Sequence, residues 1–129
     1  MKVSAFKTDE GRERDGVWVD IGDGARLLVA RVNNERHKQV FLELTKPYKV
    51  QVRTGTIQEE VAARILRECY ARTILLSWEG LQDDDGNDIP YSQEAAEELL
   101  AIPDFMSMVG EFATTRELYR KEEQEQAGN

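Results

Sequence analysis

Four groups of residues have types that chemistry uses, and each is tested by its spacing. The acidic tract Asp83-Asp84-Asp85-Gly86-Asn87-Asp88 invites a calcium reading. With Asp83 at position 1 of an EF-hand loop, Asp85, Asn87 and Glu94 fall at positions 3, 5 and 12. Position 6, which must be Gly, is Asp88, and position 8 is Pro90, so the tract reads better as an exposed acidic loop. His37 is the single histidine and Cys69 the single cysteine. Together they make no His/Cys metal cluster, and one cysteine excludes an internal disulfide. Cys69 lies on an apolar helical stripe with no base in a recognisable motif beside it, which is the setting of a small buried hydrophobe rather than a nucleophile. Gly22-Asp23-Gly24 lacks the third glycine and the strand-to-helix setting of a dinucleotide loop. No cofactor, metal or catalytic residue is expected, and a binding protein is favoured over an enzyme.

The elements that position these groups follow from periodicity and capping. Residues 1–16 are charged, with little apolar content, and read as a flexible N-terminal arm. Val17-Trp18-Val19-Asp20-Ile21 and Leu27 to Val32 flank Gly22-Asp23-Gly24-Ala25 and read as a β-hairpin. Alternation puts Val17, Val19 and Ile21 on one face, leaving Trp18 either to cover a local hydrophobic edge or to meet a partner. Asn33-Asn34 caps a helix carrying Val40, Phe41 and Leu44, which ends before Pro47. Tyr48 to Gly55 reads as a connector whose Val50 and Val52 alternate as in a short strand. Thr56-Ile57-Gln58-Glu59 fits a capping box for a long helix over about 56–76, striped by Ile57, Val61, Ile65 and Cys69. Ser92 caps a helix with Ala95, Ala96, Leu99 and Leu100 inward, and Pro103 opens another carrying Phe105, Val109 and Phe112. Met106 and Met108 serve either that core or an adaptable partner groove. Fold class is α+β: an N-terminal antiparallel hairpin or small sheet, with residues 49–53 as the candidate for its extension, packed against about four helices. Residues 17–119 form a single domain, and the polar segment 120–129 is expected to be disordered.

The middle of the chain organises the rest. Leu76-Ser77-Trp78-Glu79-Gly80 runs from a helix end into a turn, the acidic tract follows, and Ile89-Pro90-Tyr91-Ser92 starts the next helix. Gly80 and Gly86 supply positive φ, and Pro90 holds Ile89 extended. This order of Trp-x-Gly, Asp-Asp-Asp-Gly, Ile-Pro-Tyr-Ser, Ala95-Ala96, Leu99-Leu100 and Ile102-Pro103-Asp104-Phe105 resembles the tail assembly chaperones of long-tailed, siphovirus-type bacteriophages. Trp18-Val19-Asp20-Ile21, Leu27 to Arg31 and Asn33-Asn34 extend the likeness over residues 17 to 119.

The resemblance implies a non-enzymatic factor that binds the tape measure protein, keeps it soluble and helps recruit tail tube subunits. It also implies work in the host cytoplasm, absence from the mature virion, and a longer form made by programmed frameshift, of which this chain is the short one. Contacts are expected at Trp18, Trp78, Met106 and Met108, with Asp83, Asp84 and Asp85 offering an acidic surface.

Charge adds a second observation. Residues 1–73 carry a net +3 and residues 74–129 a net −11, giving the −8 of the whole chain. This polarity suits head-to-tail homo-oligomers or an acidic face for a basic partner, and it argues against general nucleic-acid binding by the C-terminal half. The alternative function is a small acidic inhibitor that imitates nucleic acid through Asp83 to Glu98. No apolar run reaches the roughly 20 residues of a membrane span, and the first residues lack a signal-peptide core, so no membrane partner is expected.

Overall fold

The computed structural model describes residues 1–121 of this chain. The architecture is α+β: a three-stranded antiparallel sheet of order β1-β2-β3 packed against helices. β1 (Val17–Gly22) and β2 (Ala25–Val29) form the N-terminal hairpin. Its two-residue turn works because Asp23 and Gly24 both take positive φ, 53° and 77°, the backbone twist that matches two right-handed strands. β3 (Leu75–Glu79) pairs with β2, matching Leu27 to Trp78 and Leu28 to Ser77.

β3 corrects two expectations. The third strand is not residues 49–53, and the long helix does not run to residue 76. α4 spans Glu59–Thr73, Ile74 caps it, and the chain enters the sheet at once. A register shift opposite Leu28 and Val29 explains why period-2 patterning missed the strand. The shift lets Leu75 and Trp78, three residues apart, both turn into the core, where strict alternation would part them.

The helices largely start where capping chemistry places them. Asn34 Oδ1 accepts from His37 N at 3.0 Å to open α2 (Glu35–Thr45), Ser92 Oγ accepts from Ala95 N at 3.0 Å to open α5 (Gln93–Leu100), and Pro103 begins α6 (Pro103–Ala113). The Thr56 capping box does not form. Thr56 Oγ1 is engaged with Thr54 Oγ1 at 2.8 Å, and Gln58 stands at the N-cap without a side-chain bond. Pro47 does not turn the chain out of helical geometry either. It sits in the first turn of a short 3₁₀ segment, Lys46–Tyr48, that leads into α3 (Lys49–Thr54), so the supposed connector is helical.

One apolar core joins sheet and helices: Leu27 and Val29 of β2, Tyr70, Ala71 and Ile74 at the end of α4, Leu75 and Trp78 of β3, then Ala96, Leu100, Val109 and Ala113. Phe105, Met106, Met108 and Phe112 pack against it half-buried.

Residues 1–16 are not a free arm. Asp9 Oδ1 caps α1 (Glu10–Asp15) through Gly11 N at 2.9 Å, and Arg31 N donates to Glu13 O at 2.8 Å. Asp9 N reaches Tyr119 O at 2.8 Å, and an Arg120 guanidinium nitrogen reaches Ala5 O at 2.7 Å. Apolar content was scarce, and backbone hydrogen bonds together with arginine side chains do the anchoring. Of the tail read over 120–129, only Arg120 and Lys121 are among the described residues; the rest lies outside them.

Two stability outcomes follow. Sequence periodicity assigns Ile65 and Leu66 equal weight in the core, about 2–5 kcal/mol each on truncation to Ala. Ile65 is 5% exposed and Leu66 42% exposed. Urea denaturation should therefore show Ile65→Ala losing about 2–4 kcal/mol and Leu66→Ala less than about 1 kcal/mol. Tyr119 is fully buried, and its hydroxyl donates to Val29 O at 3.0 Å. Tyr119→Phe should lose about 1–2 kcal/mol in the same assay, because it leaves a buried strand carbonyl short of a donor.

Candidate functional site

The acidic loop is built by its own first residue. Asp83 Oδ1 accepts from Asp85 N at 3.0 Å and Asn87 N at 2.9 Å, Gly86 N donates to Asp83 O at 3.0 Å, and Ile89 N closes the base on Leu81 O at 2.8 Å. The Asp83 carboxylate is thus spent on turn amides, while Asp84 and Asp85 are exposed. Among the described residues no group of three or more His, Cys, Asp or Glu side chains is placed to hold a metal ion.

Trp78, expected as a partner contact, is a core residue at 5% exposure. Its indole N–H donates to Ile89 O at 2.7 Å and its ring meets Tyr91 edge-on at 4.8 Å between centroids. Tyr91 Oη in turn donates to Leu75 O at 2.8 Å. The two tryptophans therefore divide the roles that their sequence left equal. Nearby, Gly80 holds φ +78° and passes so close to the hairpin turn that a Cβ would stand 2.5 Å from Gly24 O. The segment from Trp78 to Ser92 is a clasp, fastened to β3 at one end and opening α5 at the other.

Trp18 is the exposed one, at 40%. The Arg26 guanidinium lies 4.2 Å above its ring, and Arg26 Nε bonds Glu79 Oε2 at 2.8 Å, so one ladder crosses all three strands. That bond holds the Glu79 carboxyl below its ordinary range. Beside Trp18 an open cleft of about 460 Å³ is lined by Arg12, Gly16, Val17, Trp18, Glu117 and Leu118. The N-terminal segment that reads as a flexible arm supplies two of those six residues, Arg12 and Gly16, which is why sequence reasoning saw Trp18 but not the cleft. Met106 and Met108 are half-buried against the core and lie on α6, away from this cleft's lining.

Sequence reasoning also missed an exposed apolar set on the first helices. Phe41, Leu42, Val50, Val52 and Leu66 are 42, 68, 59, 46 and 42% exposed. Assigning Phe41 to a core stripe and residues 49–53 to a strand concealed it.

Cys69 and His37 each make contacts within the fold. Cys69 is fully buried, its Sγ 3.8 Å from His37 O and 4.0 Å from Thr73 Oγ1, and burial pushes its thiol up, keeping it protonated. His37 Nδ1 accepts from Asn33 N at 2.9 Å, supporting the positive φ of 65° at Asn33. Among the described residues, no helix is long and apolar enough to cross a membrane.

Comparison with protein-family models finds a match over residues 32–129 to the family described as YdaY prophage protein. The chain belongs to that family. It is therefore phage-derived. The match begins at Val32, just past β2, and takes in α2 through α6, β3 and the clasp. Comparison with curated proteins finds no match, and neither does comparison with solved structures.

The His37 contact has a pH signature. Burial lowers the imidazole below its ordinary value of 6.5, since desolvation disfavours the cation. The unfolded chain then binds the proton more readily than the folded one, so the stabilisation is complete above about pH 6.5 and is lost as pH falls through the folded value. NMR titration should place the His37 midpoint below 6.5, and His37→Gln should flatten the fall in melting temperature on acidification.

Proposed function

We propose that this phage protein is a tail assembly chaperone: a non-enzymatic factor that binds the tape measure protein, keeps it soluble and helps bring tail tube subunits to it in the host cytoplasm. The observation that carries this reading is the clasp. Within the residues that resemble tail assembly chaperones, the stretch from Trp78 to Ser92 is one interlocked unit, in which Trp78 holds Ile89, Tyr91 holds Leu75 and Ser92 caps α5. Membership of a prophage family is consistent with it.

The reading needs a surface and no chemistry. The Trp18 cleft is the surface we assign to the client, because it joins an exposed aromatic ring to Val17 and Leu118 and to residues of both charge signs, Arg12 and Glu117. Its open form suits the apolar face of an amphipathic helix, with Trp18 as the anchor. Trp78 has no such role, since its ring and its N–H are both committed inside the fold.

Co-expression tests this directly. The tape measure protein should move from the insoluble to the soluble fraction when this chain is present, and the two should co-migrate on size exclusion. Trp18→Ala should reduce the soluble fraction several-fold while leaving the melting temperature of the chain within a few degrees. Equal insolubility with and without the wild-type chain would overturn the reading. Full activity of Trp18→Ala would remove the cleft from it.

A further inference from the structure

Strand register sets Asp20 of β1, Arg26 of β2 and Glu79 of β3 side by side, and residues paired across strands share a face of the sheet. Trp18, two residues before Asp20 on β1, projects on that same face. Arg26 therefore stands between two carboxylates. Its Nε donates to Glu79 Oε2 at 2.8 Å, and its guanidinium carbon lies 4.2 Å from the centre of the Trp18 ring. One cation is thus held by Glu79 and covers a face of the indole. A planar guanidinium that stacks and hydrogen-bonds at once has both its plane and its place set. The ring it covers is the one that lines the cleft, and that ring's residue is 40% exposed. An indole so exposed and without such cover is free to explore its side-chain torsions, and a partner that binds it must then stop them at a cost in affinity.

We propose that Arg26 and Glu79 are positioning residues for the client surface: Glu79 fixes Arg26, and Arg26 holds the Trp18 ring in the orientation that lines the cleft. The inference rests on the assignment of that cleft to the client, and it adds the device that makes the anchor rigid before the client arrives. Glu79 is the last residue of β3 and immediately precedes Gly80, whose close pass against Gly24 fixes the strand end. β3 is one edge strand of the sheet and β1 the other. The ladder therefore ties the start of the clasp to the cleft across the full width of the sheet, through side chains that touch neither the core nor the client.

Nitrogen-15 relaxation of the full chain tests the device without any client. The two indole N–H signals report separately: Trp78, bonded to Ile89 O, is the internal standard, and the Trp18 signal is the one lost in Trp18→Ala. In wild type the heteronuclear NOE of Trp18 should approach that of Trp78. Glu79→Gln should lower it toward the value of a freely rotating side chain, and so should Arg26→Lys, which keeps the charge but loses the planar group. Asp20→Asn, which removes a carboxylate beside Arg26 but not the bond, should leave it at the wild-type value. Melting temperatures should stay within a few degrees, since both partners of the ion pair are exposed. On co-expression, Glu79→Gln and Arg26→Lys should each reduce the soluble tape measure protein several-fold, and neither should add to the loss in a Trp18→Ala background, because both act through that ring. A Trp18 that is as rigid in Glu79→Gln as in wild type overturns the inference and leaves the client reading standing. So does a Trp18 that loosens with no loss of solubilisation, or a further loss in the Trp18→Ala background, which would make the pair client contacts. A wild-type chain that leaves the tape measure protein insoluble takes down the client reading and this inference with it, so the two failures are told apart.

Discussion

Four consecutive residues at the exit of β2 tie the structure together. Val29 O accepts from the buried Tyr119 hydroxyl, Ala30 N donates to Ile74 O, Arg31 N to Glu13 O and Val32 N to Ala113 O. Successive backbone groups thus reach the C-terminal turn, the end of α4, α1 and the end of α6. Val29 and Ala30 are fully buried, so these polar groups have no water to fall back on. Burying a backbone donor or acceptor without a partner costs about 1–3 kcal/mol. The four segments are therefore held in one mutual arrangement, and loss of any one of them exposes or orphans a group that serves the others.

That constraint decides what is left for function. Trp78, Tyr91, Cys69 and Thr73 spend their polar atoms on backbone carbonyls or on each other, and the Asp83 carboxylate is spent on its own turn. A group fixed in this way positions neighbours well and reacts poorly. What remains available are side chains that point away from the core: Trp18 over its cleft, the apolar residues of α2 and α3, and the acids beyond Glu79. In the proposed reading these surfaces are what the chain offers a partner, apolar area setting affinity and charge setting which face meets which.

The sequence was legible where a local rule decided the outcome. Asn34 and Ser92 cap helices because their side chains reach amides three residues on, and Asp23-Gly24 turns the hairpin because both positions accept positive φ. It misled where distant partners decided. Leu75-Leu76 follows the helix and its cap Ile74 without a break in apolar sequence, and only the presence of β2 alongside makes it strand. Trp18 and Trp78 are the same residue type in apolar runs, yet one lies on an open face and the other beneath Tyr91. The first sixteen residues have too few apolar side chains to advertise a docked segment, since their attachment is through backbone groups that every sequence possesses and through arginines distant in the chain.

The family match starts at Val32, which leaves the β1–β2 hairpin outside it. Yet the matched part is not self-sufficient in this chain. β3 has β2 as its neighbour in the sheet, and Leu27 and Val29, both fully buried, fill the core between α4 and α6. Without the hairpin, β3 would present an unpaired edge, Leu75 and Trp78 would lose their cross-strand cover, and the carbonyl of Ile74 would lose its donor. Strands that only close a sheet tolerate change in all but their alternation, because their partner contacts are backbone to backbone. The clasp depends on particular side chains: Trp78 because its N–H reaches Ile89, Tyr91 because its hydroxyl reaches Leu75, and Gly80 because no Cβ fits against Gly24. The part of this fold that a sequence can declare is the part held by side chains, and the hairpin beneath it is held chiefly by the main chain.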